Sequence, residues 1–357
     1  MNMEQNKTVL IGMSGGVDSV AAALLLQQEG YTATGCTLRL YDRADGGCGS
    51  SKEAEDARAA ATALGLPFYA PDESAAFRTC VMEDFIHTYC EGRTPNPCIR
   101  CNQHIKFSAL LRLADTLGIA YIATGHYARV RYDATLGRWQ LLRGEDRTKD
   151  QSYVLYPLTQ EIVSRLQLPL GSYHKSEVRA LVAQRGLYHA NKPDSQDICF
   201  VPNGDYVGFL QQNGVELVPG DFVDKTGKVL GKHRGQVCYT GGQRRGLGVS
   251  ADRPLYVVRK NGQDNTVLLG DEADLYTKTV WAEDFNWVSL PPVTEPLRVC
   301  AKTRYSQREA TALLYPEENG LVRVVFDEGQ RAVTAGQSLV CYQDDLVVGG
   351  GIIAQAQ

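Results

Sequence analysis

Thr8-Val9-Leu10-Ile11-Gly12-Met13-Ser14-Gly15-Gly16-Val17-Asp18-Ser19 is the stretch that decides the fold. Its first half, residues 8–13, is an apolar run that predicts a buried strand. Residues 14–19 form a glycine-rich turn, and residues 20–28, rich in Ala and Leu, predict a helix ending near Gly30. Glycines let a backbone approach a ligand closely, and the N–H groups at a helix start point outward. The turn therefore suits a pyrophosphate, with Ser14 and Ser19 as further hydroxyl donors. The Gly-Lys-Ser/Thr ending of a Walker loop is missing, which argues against γ-phosphate transfer. Asp18 is placed to hold Mg2+ or to cap the helix.

Working outward, residues 32–40 predict a second strand, 51–64 a helix, 67–70 a short strand and 75–90 another helix. Residues 107–117 predict a helix stopped at Gly118, and 120–124 a strand. Alternating strands and helices argue for a doubly wound parallel α/β sheet over residues 1–205. Beyond Asp205 the helical period fades. Leu297, Val299, Ala301 and Thr303 alternate with Arg298, Cys300, Lys302 and Arg304, and Val322, Val324 and Phe326 line another such face. Short strands with close turns predict small β-rich units, a central one over residues 206–278 and a C-terminal barrel over 279–357.

At 357 residues the chain exceeds one ordinary core, and 43% hydrophobic with 22% charged residues is a globular composition. The net charge of −4 gives no global attraction to nucleic acid, so any RNA contact rests on local patches. No apolar run is long enough for a membrane span, and the first residues lack a signal-peptide pattern, so a cytosolic location is expected. In a reducing compartment the ten cysteines do not form a disulfide frame. Most are expected as small buried hydrophobes, Cys300 and Cys341 in strand-like runs among them.

Cys98 and Cys101 fit that expectation badly. They lie in Gly92-Arg93-Thr94-Pro95-Asn96-Pro97-Cys98-Ile99-Arg100-Cys101-Asn102, where the two prolines favour extended backbone, so a loop is expected to present both sulfurs. A Cys-x-x-Cys can be half a zinc site, a redox pair, a cluster ligand set or the thiols of a sulfur-handling enzyme. No second Cys-x-x-Cys completes a zinc site, although His104 is near. A thioredoxin-like pair would open a helix after a strand. A third thiol, Cys199, closes the polar segment Lys192-Pro193-Asp194-Ser195-Gln196-Asp197-Ile198-Cys199. The turn at residues 14–19 resembles that of the PP-loop pyrophosphatases, which adenylate a carbonyl oxygen and so make it a leaving group; a persulfide on one cysteine would then be a nucleophile that a second cysteine resolves. Cys101 and Cys199, from distant parts of the chain, meet that requirement. Basic residues cluster at Arg143, Arg147 and Lys149, at Arg244 and Arg245, and at Arg298, Lys302 and Arg304 beside Tyr305. Each is a candidate RNA contact or a solvated surface charge.

Residues 14–19 resemble the signature of the PP-loop pyrophosphatases, which split ATP to AMP and pyrophosphate. Together with 92–107, 123–129 (Ala-Thr-Gly-His-Tyr-Ala-Arg), 149–156 (Lys-Asp-Gln-Ser-Tyr-Val-Leu-Tyr), 194–200, 239–248 and 349–353, the chain resembles the bacterial tRNA-specific 2-thiouridylases over nearly its full length. The resemblance implies an N-terminal PP-loop domain, a small central domain and a C-terminal β-barrel, and ATP-dependent 2-thiolation of the tRNA wobble uridine. It implies Cys101 as catalytic nucleophile, Cys199 as persulfide carrier and a transient disulfide between them. ATP would be held by Gly12, Met13, Ser14, Gly15, Gly16, Val17, Asp18 and Ser19, with Leu38 and Gly125 near the adenosine. Asn96, Pro97 and Cys98 would border the target base. His126, Lys149, Asp150, Gln151, Arg304, Tyr305 and Gln337 would face tRNA, with His126 as a core histidine and Asp150 as a cap through Ser152 the competing readings. A persulfide donor or sulfur-relay protein would be the further partner. One departure is Cys98, where many family members carry Asp. It could substitute for that acid, although an ordinary thiol titrates too high for the task. It could be a bystander, or Cys98, Cys101 and Cys199 could ligate three irons of a 4Fe–4S cluster and leave the fourth open for hydrosulfide. Gly241 also replaces a bulky apolar residue, without an expected consequence. A different PP-loop ligase would leave the thiols idle, and a non-catalytic nucleotide-dependent RNA-binding protein would release no pyrophosphate.

Overall fold

The computed structural model describes residues 7–41, 51–185 and 198–357. The opening apolar run is β1 (Thr8–Gly12), and α1 (Val17–Gln28) follows it. Helix α1 starts at Val17 rather than Val20, because the glycine turn is complete by Gly16. Val9, Leu10 and Ile11 are wholly buried, as a central parallel strand covered on both faces requires. β2 (Thr32–Cys36), α2 (Ser51–Ala63) and β3 (Phe68–Tyr69) come next. Residues 75–90, expected as one helix, are α3 (Ser74–Phe77), a π turn Arg78–Glu83 and α4 (Asp84–Cys90) in unbroken succession. A second such run joins α5 (Pro97–Cys101), a π turn Asn102–Lys106 and α6 (Phe107–Leu117). Then come β4 (Tyr121–Thr124), the hairpin β5 (Ala128–Asp133) and β6 (Arg138–Arg143), α7 (Gln160–Arg165), β7 (Leu166–Gln167) and α8 (Lys175–Gln184).

The parallel sheet has the order β3-β2-β1-β4-β7. Helices α1, α2 and α8 bury Ala21, Leu25, Ala57, Ala61, Val178 and Val182 in one core. Phe107, Leu110, Leu111 and Ala114 of α6, at helical spacing, join Ile162 and Val163 of α7 in a second. Each fully buried Leu, Ile or Phe contributes about 1.5–3 kcal/mol. This is the doubly wound architecture expected from the alternation.

The central unit has α9 (Tyr206–Gln212) and strands β8 (Gly220–Val223), β9 (Val229–His233), β10 (Tyr256–Asn261) and β11 (Thr266–Gly270), ordered β10-β11-β8-β9. Phe209, Phe222, Val257 and Leu269 share one cluster with Phe77, Phe85, Tyr89 and Cys101 of the α/β unit. The central unit is thus packed directly onto the helices that carry the thiols.

Six antiparallel strands follow: β12 (Tyr276–Asn286), β13 (Leu297–Lys302), β14 (Ala310–Pro316), β15 (Val322–Arg331), β16 (Ser338–Gln343) and β17 (Leu346–Ala356). They run β12-β15-β14-β13-β16-β17, and a β12–β17 pairing closes the barrel. Val299, Ala301, Val322, Val324 and Phe326 face the barrel core, as the alternation predicts. Cys341 is buried there, whereas Cys300 is only half-buried, since it shares the outer face with Arg298. The hairpin β5–β6, which the sequence pattern did not reveal, extends this sheet through Leu142 opposite Leu346 and ties the barrel to the α/β unit.

Candidate active site

Strand order reverses between β1 and β4, and ligands of such sheets bind outside the strand ends at that point. The glycine-rich turn leaves β1 there, and Gly125 leaves β4 beside it. A Cβ on Gly125 would lie 2.7 Å from the Asp18 carbonyl carbon, so only glycine lets the β4 loop lie against the first turn of α1. Leu38 is half-buried after β2, between two cores. Gly16 is the N-cap of α1 and brings no side chain to it. The Ser19 hydroxyl donates to the Gly16 carbonyl at 3.0 Å and accepts from the Ser14 N–H at 3.3 Å, so it knots the turn. Asp18 does not cap α1. Its carboxylate accepts the Tyr127 hydroxyl at 2.8 Å and the Lys175 ammonium at 2.7 and 2.8 Å. Lys175 opens α8 and is buried, so a fixed cation stands beside the turn.

The thiol segment is not the loop expected from its prolines. Asn96 is an N-cap whose Oδ1 accepts from the Ile99 N–H at 3.4 Å, and Pro97 takes the first helical position, where its missing N–H costs nothing. Cys98 is exposed, while Cys101 is 9% exposed. The Arg100 guanidinium pairs with Asp84 at 2.6 Å, and the Asn102 amide donates to the Val154 carbonyl at 2.9 Å, which fixes the far side of the helix. Cys199 is half-buried, and its carbonyl accepts the Tyr41 hydroxyl at 2.5 Å. Ile198 and Cys199 pack against the same aromatic cluster that encloses Cys101. Residues 194–197 of that motif lie outside the described residues. Among the described residues no three His, Cys, Asp or Glu side chains gather as a metal-binding group.

Both other units grip the backbone before the thiols. The Thr94 N–H donates to the Ala335 carbonyl at 2.9 Å, and the Gln337 amide donates to the Thr94 and Pro95 carbonyls at 3.1 Å each. Gly336, at φ +88°, lies so close that a Cβ would be 2.9 Å from the Thr94 nitrogen. Arg93 pairs with Glu283 of β12 at 2.6 Å. From the central unit, Gln236 donates to the Cys90 carbonyl at 2.9 Å and Lys260 to the Arg93 carbonyl at 3.4 Å. A cleft of about 230 Å³ beside this junction is lined by Asp84, Arg93, Asn96, Arg100, Glu283 and Asp284. It adjoins the thiol helix and does not include the glycine-rich turn.

Burial lowers the Lys260 ammonium to about 8. A base depressed on folding destabilises the protein fully below its folded value, and the penalty fades as pH rises through that value toward the unfolded one. Lys260→Met removes a penalty of about 3 kcal/mol at neutral pH while losing the bond to Arg93. Wild-type stability measured by urea unfolding should therefore rise relative to Lys260→Met between pH 7 and about pH 10. A pH-independent difference would show that Lys260 carries the same charge folded and unfolded.

With this geometry in view, three family models cover most of the chain. Residues 7–203 match a tRNA methyl transferase HUP domain, 208–271 a tRNA methyl transferase PRC-barrel domain and 277–353 an aminomethyltransferase beta-barrel domain. The tRNA-specific 2-thiouridylase MnmA of Acetivibrio thermocellus is 49% identical over 97% of this chain and 99% of its own length. That of Clostridioides difficile is 46% identical over 99% of this chain and all of its own. The chain belongs to the MnmA family.

The residues that resemblance to the MnmA family marks for tRNA fall into two groups. Tyr305 is 46% exposed, with Lys302 lying 5.7 Å over its ring and over that of Tyr153. Its hydroxyl end is tucked against the Asp150 carbonyl at 3.4 Å. That burial, then Asp150, raise the hydroxyl pKa above its usual value. Lys149 is half-buried. The others make structural bonds. Asp150 accepts from the Gly144 N–H at 3.0 Å, the Ser152 N–H at 3.2 Å and the Ser152 hydroxyl at 2.9 Å, but the N-cap of the short turn Ser152–Val154 is Gln151, so Asp150 fixes the loop before it rather than capping it. Gln151 accepts from the Tyr127 N–H at 3.0 Å. The His126 ring lies 5.8 Å from Phe107, with Nδ1 2.8 Å from the Thr124 hydroxyl. Burial, then Lys106, holds its pKa well below the usual range, so the imidazole is neutral. Arg304 donates to Thr334 Oγ1 at 2.8 Å and to the carbonyls of Ala332 and Gly241, and so links barrel to central unit. Among the basic side chains, Arg143 pairs with Glu309, Arg147 with Asp345 and Arg298 with Asp327.

Sequence reasoning missed Lys175, Tyr127 and the clamp around Ala335 and Gly336. Lys175 stands 157 residues from Asp18, and nothing in its local pattern points across that distance.

Proposed function

We propose that this chain catalyses ATP-dependent 2-thiolation of the wobble uridine of tRNA. The observation that carries the reading is the pairing of two features. A glycine-rich turn sits at the switch point of the sheet, and two separate thiol segments share one hydrophobic cluster. The turn, with Gly12, Met13, Gly15 and Val17 in its backbone and Lys175 at its side, receives the polyphosphate of ATP, while Leu38 and Gly125 border the adenosine. Mg2+ accompanying ATP would fill its shell mainly with phosphate oxygens and water, because both Asp18 oxygens are already held by the Lys175 ammonium. Uridine O2 attacks the α-phosphate, pyrophosphate leaves, and C2 becomes electrophilic. The terminal sulfur of a Cys199 persulfide adds to C2 and AMP departs. Cys101 then attacks the Cys199 sulfur, which leaves the sulfane sulfur on the base as the thiocarbonyl and forms a Cys101–Cys199 disulfide.

Wobble-base chemistry needs an unstacked nucleotide, and a splayed base stacks well on an exposed aromatic. Tyr305, with Lys302 over its ring, is such a platform, and Asn96, Pro97 and Cys98 border the base on the thiol helix. Of the other tRNA-facing candidates, His126 packs against Phe107, Asp150 and Gln151 tie their loop to Gly144 and Tyr127, and Arg304 and Gln337 hold barrel, central unit and thiol segment in register. Residues 1–205 carry the chemistry, 206–278 brace the thiol helices, and 279–357 supply the RNA face. Sulfane sulfur comes from a persulfide-bearing donor or relay protein, and the reaction belongs in the cytosol. Purified protein with ATP, unmodified tRNA and a sulfane-sulfur source should release pyrophosphate only when tRNA is present and yield 2-thiouridine by nucleoside mass spectrometry. Pyrophosphate release indifferent to tRNA would refute the assignment.

A further inference from the structure

We propose that Cys98 is a relay thiol that takes over the disulfide after each turnover, so that Cys98–Cys101 and not Cys101–Cys199 is the bond presented to external reductant. This rests on the persulfide reading above and adds the step that restores the enzyme.

Three observations carry it. First, the thiols differ in access. Cys98 is exposed, whereas Cys101 is 9% exposed within a cluster that includes Phe85, Tyr89 and Ile105, and Cys199 packs against that cluster. A disulfide between the two inner thiols lies where a bulky reductant cannot align with it, and exchange requires in-line access to a sulfur. Second, Cys98 and Cys101 occupy positions i and i+3 of one helix. Such residues are neighbours, with Cβ atoms about 5–6 Å apart, close to the roughly 3.5–4.5 Å of a disulfide. Third, the first turn is loosely closed. The Arg100 N–H to Asn96 carbonyl bond and the Asn96 cap to Ile99 are both 3.4 Å, at the long end of the hydrogen-bond range.

The exchange balances. The Cys98 thiolate attacks Cys101 Sγ, the Cys101–Cys199 bond breaks, and its electron pair and a proton go to Cys199. Cys199 is then a thiol ready for the next sulfane sulfur. A dithiol reductant, small or protein-borne, supplies two electrons and two protons to the Cys98–Cys101 disulfide. Because exposed Cys98 borders the target base in the proposed site, bound tRNA covers it and reduction follows product release.

The test loads full-length enzyme with sulfane sulfur from inorganic polysulfide and removes the excess. It then adds tRNA with or without ATP, quenches with an alkylating agent and maps the cysteines by mass spectrometry. Wild type should show an ATP-dependent Cys98–Cys101 disulfide with Cys199 alkylated. Cys98→Ser should instead hold Cys101–Cys199. In steady state with a thioredoxin-like dithiol protein as sole reductant, Cys98→Ser should be at least tenfold slower than wild type, with most of the loss recovered by millimolar small dithiol. Cys101–Cys199 as the persistent bond in wild type, or no difference in steady state, would overturn the relay and leave the persulfide reading intact. Thiolated tRNA without any ATP-dependent disulfide would overturn both.

Discussion

Cys199→Ser yields no detectable 2-thiouridine, yet tRNA-dependent pyrophosphate release continues, because the two half-reactions use different parts of the molecule. The adenylating turn follows β1, and Cys199 lies in the aromatic cluster beneath the thiol helix. A serine hydroxyl cannot carry sulfane sulfur, so the second half-reaction loses its nucleophile outright, a drop of at least about a thousandfold, or about 4 kcal/mol in barrier. Cys101→Ser should fail differently. Sulfur still reaches C2, but nothing attacks the Cys199 sulfur to release it. Protein and tRNA should therefore remain joined through a disulfide that a small dithiol cleaves, visible as a slow band on a denaturing gel. Full thiolation by either variant would eliminate the persulfide pathway. Loss of pyrophosphate release in both would instead mean that the thiols support the nucleotide site.

How far the sequence disclosed this arrangement depended on the range of the interactions involved. β1, the glycine turn and α1 were legible because strand, turn and helix signals follow one another within about twenty residues, and backbone chemistry of that kind is local. The barrel was legible from alternation such as Val299 and Ala301 against Arg298 and Lys302. The thiol segment was misread as a loop. Pro95 and Pro97 do disfavour helix before them, but Pro97 at a first helical position after the Asn96 cap starts one, and the local pattern fits both outcomes. Asp18 had two local readings, metal ligand and cap, and its partners Tyr127 and Lys175 lie 109 and 157 residues away. Gln337 and Arg304 were marked for RNA through the family pattern. Their amide and guanidinium bond backbone carbonyls across unit boundaries, a use that only the tertiary structure discloses.

The Asp18–Lys175 pair leads to the second large effect. Lys175→Met should lower tRNA-dependent pyrophosphate release by at least a hundredfold and raise the KM for ATP. In the wild-type chain the ammonium sits 2.7 and 2.8 Å from the two carboxylate oxygens, with the Tyr127 hydroxyl on one of them. The lysine side chain is 11% exposed and the aspartate 33%, so the pair is screened less than one at the surface. Removing the cation leaves a net negative charge in the first turn of α1, where the polyphosphate must approach. Unit charges about 4 Å apart interact by about 4 kcal/mol at an effective dielectric of about 20. Even half of that, after solvent and Mg2+ screening, is more than a decade in affinity, and the reacting phosphate loses a fixed cation as well. Methionine keeps the length and apolar stem of lysine, so packing against Tyr127 survives, and thermal unfolding should shift far less than activity does. Lys175→Arg keeps the charge and should recover much of the lost rate. Methionine and wild-type enzymes with equal KM for ATP and rates within threefold would mean that Lys175 only neutralises Asp18 and contributes nothing at the nucleotide.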